Sequence, residues 1–223
     1  MEVTLSIVLG GLITVLTAIG VEYFRRPRLR LAIEKPPLDV TSPGGKGTRR
    51  NLRLVLRNES LPLGLGWMQR AAAIQCRGEI TFHHLDDGQD IFCRAMDVRW
   101  ANSPEPIASQ ILSLDNKVQF HIRDFARTAA ESRIDVYPGE EELLDVAVRF
   151  DGEVDCYGWN NDSYGHGWRN PEWKLPHQRF LVKVVINFSG QKCTGIFRLV
   201  NDVDSLTDFR LLPASADDCA RVL

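Results

Sequence analysis

Residues 3–21, VTLSIVLGGLITVLTAIGV, form nineteen consecutive residues without a charge, closed by Glu22, Tyr23, Phe24 and the basic cluster RRPRLR. At a rise of ~1.5 Å per residue, a helix of that length matches the hydrocarbon thickness of a bilayer. The sequence therefore predicts a single-pass, N-terminal transmembrane α-helix over 1–27, counting its basic flank, ahead of a domain over 28–223. The alternative is a cleaved signal peptide, since Ala18-Ile19-Gly20 has cleavage-like spacing. No Lys or Arg precedes the run, however, and arginines crowd its downstream side, which favours an uncleaved anchor.

Arg25, Arg26, Arg28 and Arg30 sit where anionic headgroups would meet them, so they are the expected membrane-surface residues. By the positive-inside bias they place the following domain in the cytoplasm, against the inner (plasma) membrane. Ser6, Gly10, Thr14 and Ala18 recur at i, i+4, a spacing that lets two anchors approach as a homodimer. The plainer reading is that such small residues are ordinary in single anchors.

Five cysteines, an odd number without C-x-x-C spacing, read as reduced thiols rather than a disulfide framework. A Cys76–Cys193 bridge belongs to the reversed topology. About 190 residues follow the anchor, enough for one domain with its own core. Without Glu2, Glu22 and the four juxtamembrane arginines, 23 basic and 27 acidic residues remain, a net charge of −4. That balance argues against nucleic acid as a partner, because phosphate-backbone binding calls for an excess of cations.

Short runs alternating at period two, separated by Gly, Pro, Asn and Asp, make the domain mainly β. RLRLAIE (28–34), NLRLVLRN (51–58), AAIQCRGEITF, CRAMDVRW, LLDVAVRF, RFLVKVVINF and KCTGIFRLV are the strand candidates. They predict one antiparallel Ig-like β-sandwich of about seven or eight strands. Pro138-Gly139 marks a tight reversal, and Ser189-Gly190 a two-residue hairpin. TSPGGKGTRR (41–50) lacks the spacing of a phosphate loop and reads as a connector. Residues 101–133 break the rhythm as an insert, with a short helix at FARTAAESR or an edge strand at KVQFHI.

The run LRLVLRN followed by AAAIQCRGEI resembles the Ig-like sandwich of prokaryotic adhesion-type modules. RWANSPEP, PGEEELLDV, YGWNND, WRNPEWKLP and NDVDSLTDFRLL, taken with the apolar run, resemble an uncharacterised group of prokaryotic membrane-anchored proteins. The resemblance covers most of the chain from residue 51 but not Ile107 to Arg133, where this chain looks longer. It implies a fold and no activity.

The richest candidate site is DGEVDCYGWNNDSYGHGWRNPEWKLPHQ, which gathers Tyr157, Trp159, Tyr164, His166, Trp168, Trp173 and His177. Aromatic side chains on a loop fixed to a rigid scaffold suit a contact surface, and Trp159, Tyr164, His166 and Trp168 are its expected binding residues. The competing role is to cap an open sandwich end. Trp173, next to Lys174-Leu175-Pro176, looks most like a core plug, and Trp159, in Gly-Trp-Asn-Asn-Asp, most available for contact. His166 and His177 with Asp155 or Asp162, and His83-His84 with Asp86-Asp87, match no compact ligand spacing, so neither metal nor other cofactor is expected. HHLDDGQD reads as a solvated hairpin tip. No G-x-S-x-G, H-E-x-x-H or Walker-type loop is present.

The sequence thus predicts a membrane-anchored, non-catalytic binding or scaffolding module, touching the bilayer and a protein partner or small ligand. The rivals are a membrane-bound small-ligand sensor, an extracellular adhesion-type module with reversed topology, and an enzyme with an unrecognised site.

Overall fold

The computed structural model describes residues 2–41, 47–62, 68–112, 118–124 and 132–222. In chain order these form helix α1 (Glu2–Arg25) and strands β1 (Leu29–Ile33), β2 (Leu38–Thr41), β3 (Thr48–Asn58), β4 (Ala73–His84), β5 (Met96–Asp97) and β6 (Arg99–Trp100). Strands β7 (Ile107–Leu112), β8 (Val118–Arg123), β9 (Ile134–Val136), β10 (Glu141–Phe150), β11 (Cys156–Gly158) and β12 (Lys174–Leu175) follow. The chain closes with β13 (Arg179–Phe188), β14 (Gln191–Val200), β15 (Arg210–Pro213) and helix α2 (Ala216–Val222).

The predicted transmembrane helix is corrected. A helix does form at the N-terminus, but among the described residues no helix is long and apolar enough to cross a membrane. Leu12, Ile13, Leu16 and Ile19 on this helix are exposed. Its C-terminal end is held by the body of the protein. Ala71 N donates to Arg25 O at 2.6 Å, and Arg70 Nη1 donates to Phe24 O and Arg26 O.

The body is mainly β, built as two antiparallel sheets facing each other across one core. The first runs β1-β3-β10-β11-β12, with β2 also on β3 and β6 on β10; the second runs β15-β14-β13-β4-β5, with β9 on β4. The alternation read in NLRLVLRN sets the inner face directly: Leu52, Leu54 and Leu56 enter the core, while Arg49, Asn51, Arg53 and Val55 take the other face. Phe82, Ile80, Phe180, Val182, Val184 and Leu199 meet them from the second sheet. Trp173 joins the same cluster, edge-on to Phe92 at 5.0 Å, in the plugging position expected of it.

The strand number differs from the expected seven or eight. Among the described residues three sheets hold seven, six and two strands, because CRAMDVRW splits into β5 and β6 and further two- to four-residue strands edge both layers. Such short pieces hold too few residues to display a period. In the insert, VQFHI of the expected edge strand lies in β8, which pairs antiparallel with β7. The helix expected at FARTAAESR falls largely on 125–131, outside the described residues, as does 42–46 of the connector.

Both predicted turns are present. Ser189 and Gly190 join β13 to β14 with φ of 44° and 74°, the left-handed pair of a type I′ hairpin, closing Phe188 against Gln191. At Pro138-Gly139, Glu140 N donates to Tyr137 O and Gly139 has φ 83°, a conformation that disfavours any residue with a Cβ.

One irregularity decides which residues face outward. Strand β10 pairs with β3 as Asp145↔Arg53 and then Ala147↔Leu52, so a bulge inserts one residue. Beyond it Val148 and Phe150 lie opposite Asn51 and Arg49 on the outer face, whereas Arg149 turns inward. The Arg149 guanidinium is buried and donates to Glu153 O, Asn201 Oδ1 and Asp204 O.

Candidate binding surface

The outer face of the first sheet carries charges in the middle of its strands. Asp145 is 3% exposed and accepts from Arg53 Nε at 2.7 Å, with Arg99 Nε at 4.0 Å. Arg99, also buried, donates through Nη2 to Ser103 O and to the Tyr164 hydroxyl at 2.9 Å, and through Nη1 to Trp100 O. Burial pushes the Asp145 carboxyl above its ordinary value, opposed by Arg53 and then Arg99. Glu34, where β1 ends, is likewise pushed up by burial, with Arg53 again opposing. The result is a row of alternating sign, Glu34, Arg53, Asp145 and Arg99, ending on a phenol.

The aromatic loop folds back over this row. Asn160 caps a 3₁₀ helix at Asn161–His166: its Oδ1 accepts from Ser163 N, and Ser163 Oγ accepts in turn from Asn160 N, both at 3.2 Å. Gly167 and Trp168 follow with φ of 57° and 68°, and Trp168 N donates to Ser163 O at 2.7 Å. Two successive left-handed residues reverse the chain and lay Trp168 back onto Trp159. Their rings stack with centroids 6.1 Å apart at 24°, while Tyr164 meets Trp159 edge-on at 5.8 Å. Val148 is the floor of this cluster, and Phe150 and Tyr157 pack at its side.

Arg49, near the start of β3, completes the arrangement. Its Cζ lies 4.0 Å from the Trp168 ring centroid and 5.3 Å from that of Trp159. Its side chain makes no hydrogen bond or ion pair with any described residue, and Nε is buried without a partner. Burial pushes the guanidinium below its ordinary value, although Tyr164, Asp145 and Glu105 favour its charge. The Trp168 indole nitrogen is also buried without a partner, and so is that of Trp159, which lies toward Asp145 and favours that carboxylate's charge without making a hydrogen bond.

The structure thus brings together three of the four expected contact residues. Trp159 is 3% exposed, which corrects the expectation that it is the ring most open to contact: its polar neighbour Asn160 caps the short helix that Asn161 opens instead of carrying it into solvent. Tyr164 is buried, Trp168 is half-buried, and His166 is exposed at the end of the short helix, apart from the ring cluster. Among the basic residues beside α1, Arg28 and Arg30 both lie near Glu59, at 3.7 and 3.6 Å.

At the other histidine pair, the His83 ring bridges Thr81 Oγ1 and Gly88 O, at 2.8 and 2.9 Å, and is buried rather than solvated. All five cysteines are free. Arg49, Arg53, Arg99 and Asp145 were not among the expected site residues, though an aspartate in the middle of the apolar run LLDVAV was a visible signal for one of them. Comparison with family models, curated proteins and solved structures finds no match for this chain.

Proposed function

We propose that the chain is a non-catalytic binding module whose contact surface is the rim of the folded-back loop, with Trp168 as its central ring and His166 at its edge. The observation that supports this is the state of Trp168. It is half-buried, held at φ 68° on a capped 3₁₀ turn, and carries an unpartnered indole N–H. A left-handed, non-glycine residue costs roughly 1–2 kcal/mol and is kept where the surroundings over-determine it. A pre-organised ring of this kind offers a large contact area with little entropy to lose. Trp159 and Tyr164 support it from beneath, which joins the capping and contact roles in one loop.

The test is site-directed photocrosslinking from position 166 in the native cell, with identification of the captured species, repeated in Trp168→Ala. A discrete adduct that disappears in a Trp168→Ala protein of unchanged circular dichroism supports the module. An adduct pattern unaffected by the substitution removes the loop from it.

A further inference from the structure

We propose that Arg49 is a receptor for a carboxylate on an acidic segment of a protein partner, gripped end-on by the two terminal guanidinium nitrogens beside the stacked indoles. This rests on the binding-module reading and names what the module recognises.

The side chain is a cation placed where cations seldom sit unaccompanied. Most buried arginines in this protein are matched. Arg53 and Arg99 share Asp145, Arg50 forms a two-armed pair with Asp39, and Arg149 donates to three acceptors. Arg49 alone on the outer face has neither a carboxylate nor an acceptor among the described residues. The carboxylates whose fields reach it, Asp145 and Glu105, make no ion pair with it; Asp145 Oδ1 accepts from Arg53 Nε, and its Oδ2 lies 4.0 Å from Arg99 Nε.

The geometry leaves one approach open. The Trp168 ring lies against the guanidinium, its centroid 4.0 Å from Cζ, and Nε is enclosed. Nη1 and Nη2 are neither hydrogen-bonded nor enclosed, so the free part of the guanidinium is its forked end. A planar carboxylate matches that fork with two parallel N–H···O bonds, and partial removal from water strengthens them. Of the two unpartnered indole nitrogens of the cluster, Trp168 Nε1 belongs to the ring nearer the guanidinium.

Both indoles beside Arg49 report occupancy through their fluorescence. The full chain is titrated with a blocked glutamate-rich peptide, with the same peptide in glutamine form, and with inorganic phosphate, all at constant ionic strength. The expected result is a saturable change with the glutamate peptide alone. It should weaken roughly ten- to hundredfold in Arg49→Gln, as loss of a charge-assisted pair implies, with partial retention in Arg49→Lys. It should also weaken as salt is raised.

No response from wild-type protein, an equal response to the glutamine peptide, or a response to phosphate in place of glutamate overturns the proposal and leaves Arg49 a packing contact of the two rings. The wild-type titration alone decides this if Arg49→Gln fails to fold. Loss of the crosslinked adduct in Trp168→Ala without any peptide response would keep the module and discard the carboxylate. An Arg49-dependent response with an adduct indifferent to Trp168 would do the reverse.

Discussion

Two tryptophans of one loop, nine residues apart, have different duties, and their substitution should separate them. Trp159 is 3% exposed on the Val148 floor, so Trp159→Ala should cost about 3–5 kcal/mol. Trp168 is half-buried, and Trp168→Ala should cost about 1 kcal/mol from lost stacking and cation–π contact. Urea denaturation of the two variants checks the ordering. Asp145 gives a second contrast. Asp145→Ala leaves Arg53 and Arg99 facing each other without an intervening charge and should cost about 3 kcal/mol or more. Asp145→Asn should cost less, since burial already pushes this carboxyl toward its neutral form and an amide oxygen still accepts from Arg53 Nε. Equal losses in the two variants would show that the charge of Asp145 matters more than its oxygen.

At the scale of elements, the β13–β14 hairpin can be improved by one atom pattern. Ser189 occupies the first left-handed position of a type I′ turn, where asparagine is favoured. Ser189→Asn should therefore raise the denaturation midpoint, by about 0.5 kcal/mol in stability, at the expense only of a 3.4 Å contact from Ile74 N to the serine hydroxyl. This hairpin was legible in the sequence because turn chemistry and strand alternation are both local. Leu52, Leu54 and Leu56 were legible for the same reason. The aromatic loop was legible as a concentration of rings but not as a shape. Which rings turn inward depends on the Asn160–Ser163 cap, on the reversal at Gly167-Trp168 and on a landing place at Arg49 in β3, far earlier in the chain. The apolar run at the N-terminus was legible as a helix, while its expected passage through a bilayer finds no support among the described residues.

Across the whole molecule, the C-terminal helix α2 fastens the second sheet. Arg198 grips both Asp218 oxygens, Ser215 N donates to the same carboxylate, Lys183 Nζ reaches Val222 O, and Arg221 Nη1 reaches Leu85 O. These donors hold the Asp218 carboxyl well below the usual carboxylate range, with the Arg198 hydrogen bond the leading cause. A carboxyl depressed in the folded state stabilises it fully above its unfolded value of ~3.9 and loses that contribution as pH falls through this value and below. Stability should accordingly drop between about pH 5 and pH 2, and Asp218→Asn should flatten that limb. Asp39 beside Arg50 and Asp202 beside Arg179 are depressed in the same sense and should preserve part of the slope. Acid titration of unfolding, followed by fluorescence, reads the difference.

The extra residue in β10 carries a wider implication. With the strand's length unchanged, one-to-one pairing beyond Asp145 would set Val146 against Leu52 and move every later residue one place along, so that Val148 would swing into the interior and Arg149 would be thrown to the outside. Removing Val146 alone would instead leave Ala147 against Leu52 and Val148 beneath the aromatic loop. The loop should therefore survive a one-residue deletion at this point and lose its seat on a further insertion, which the bulge could not take up.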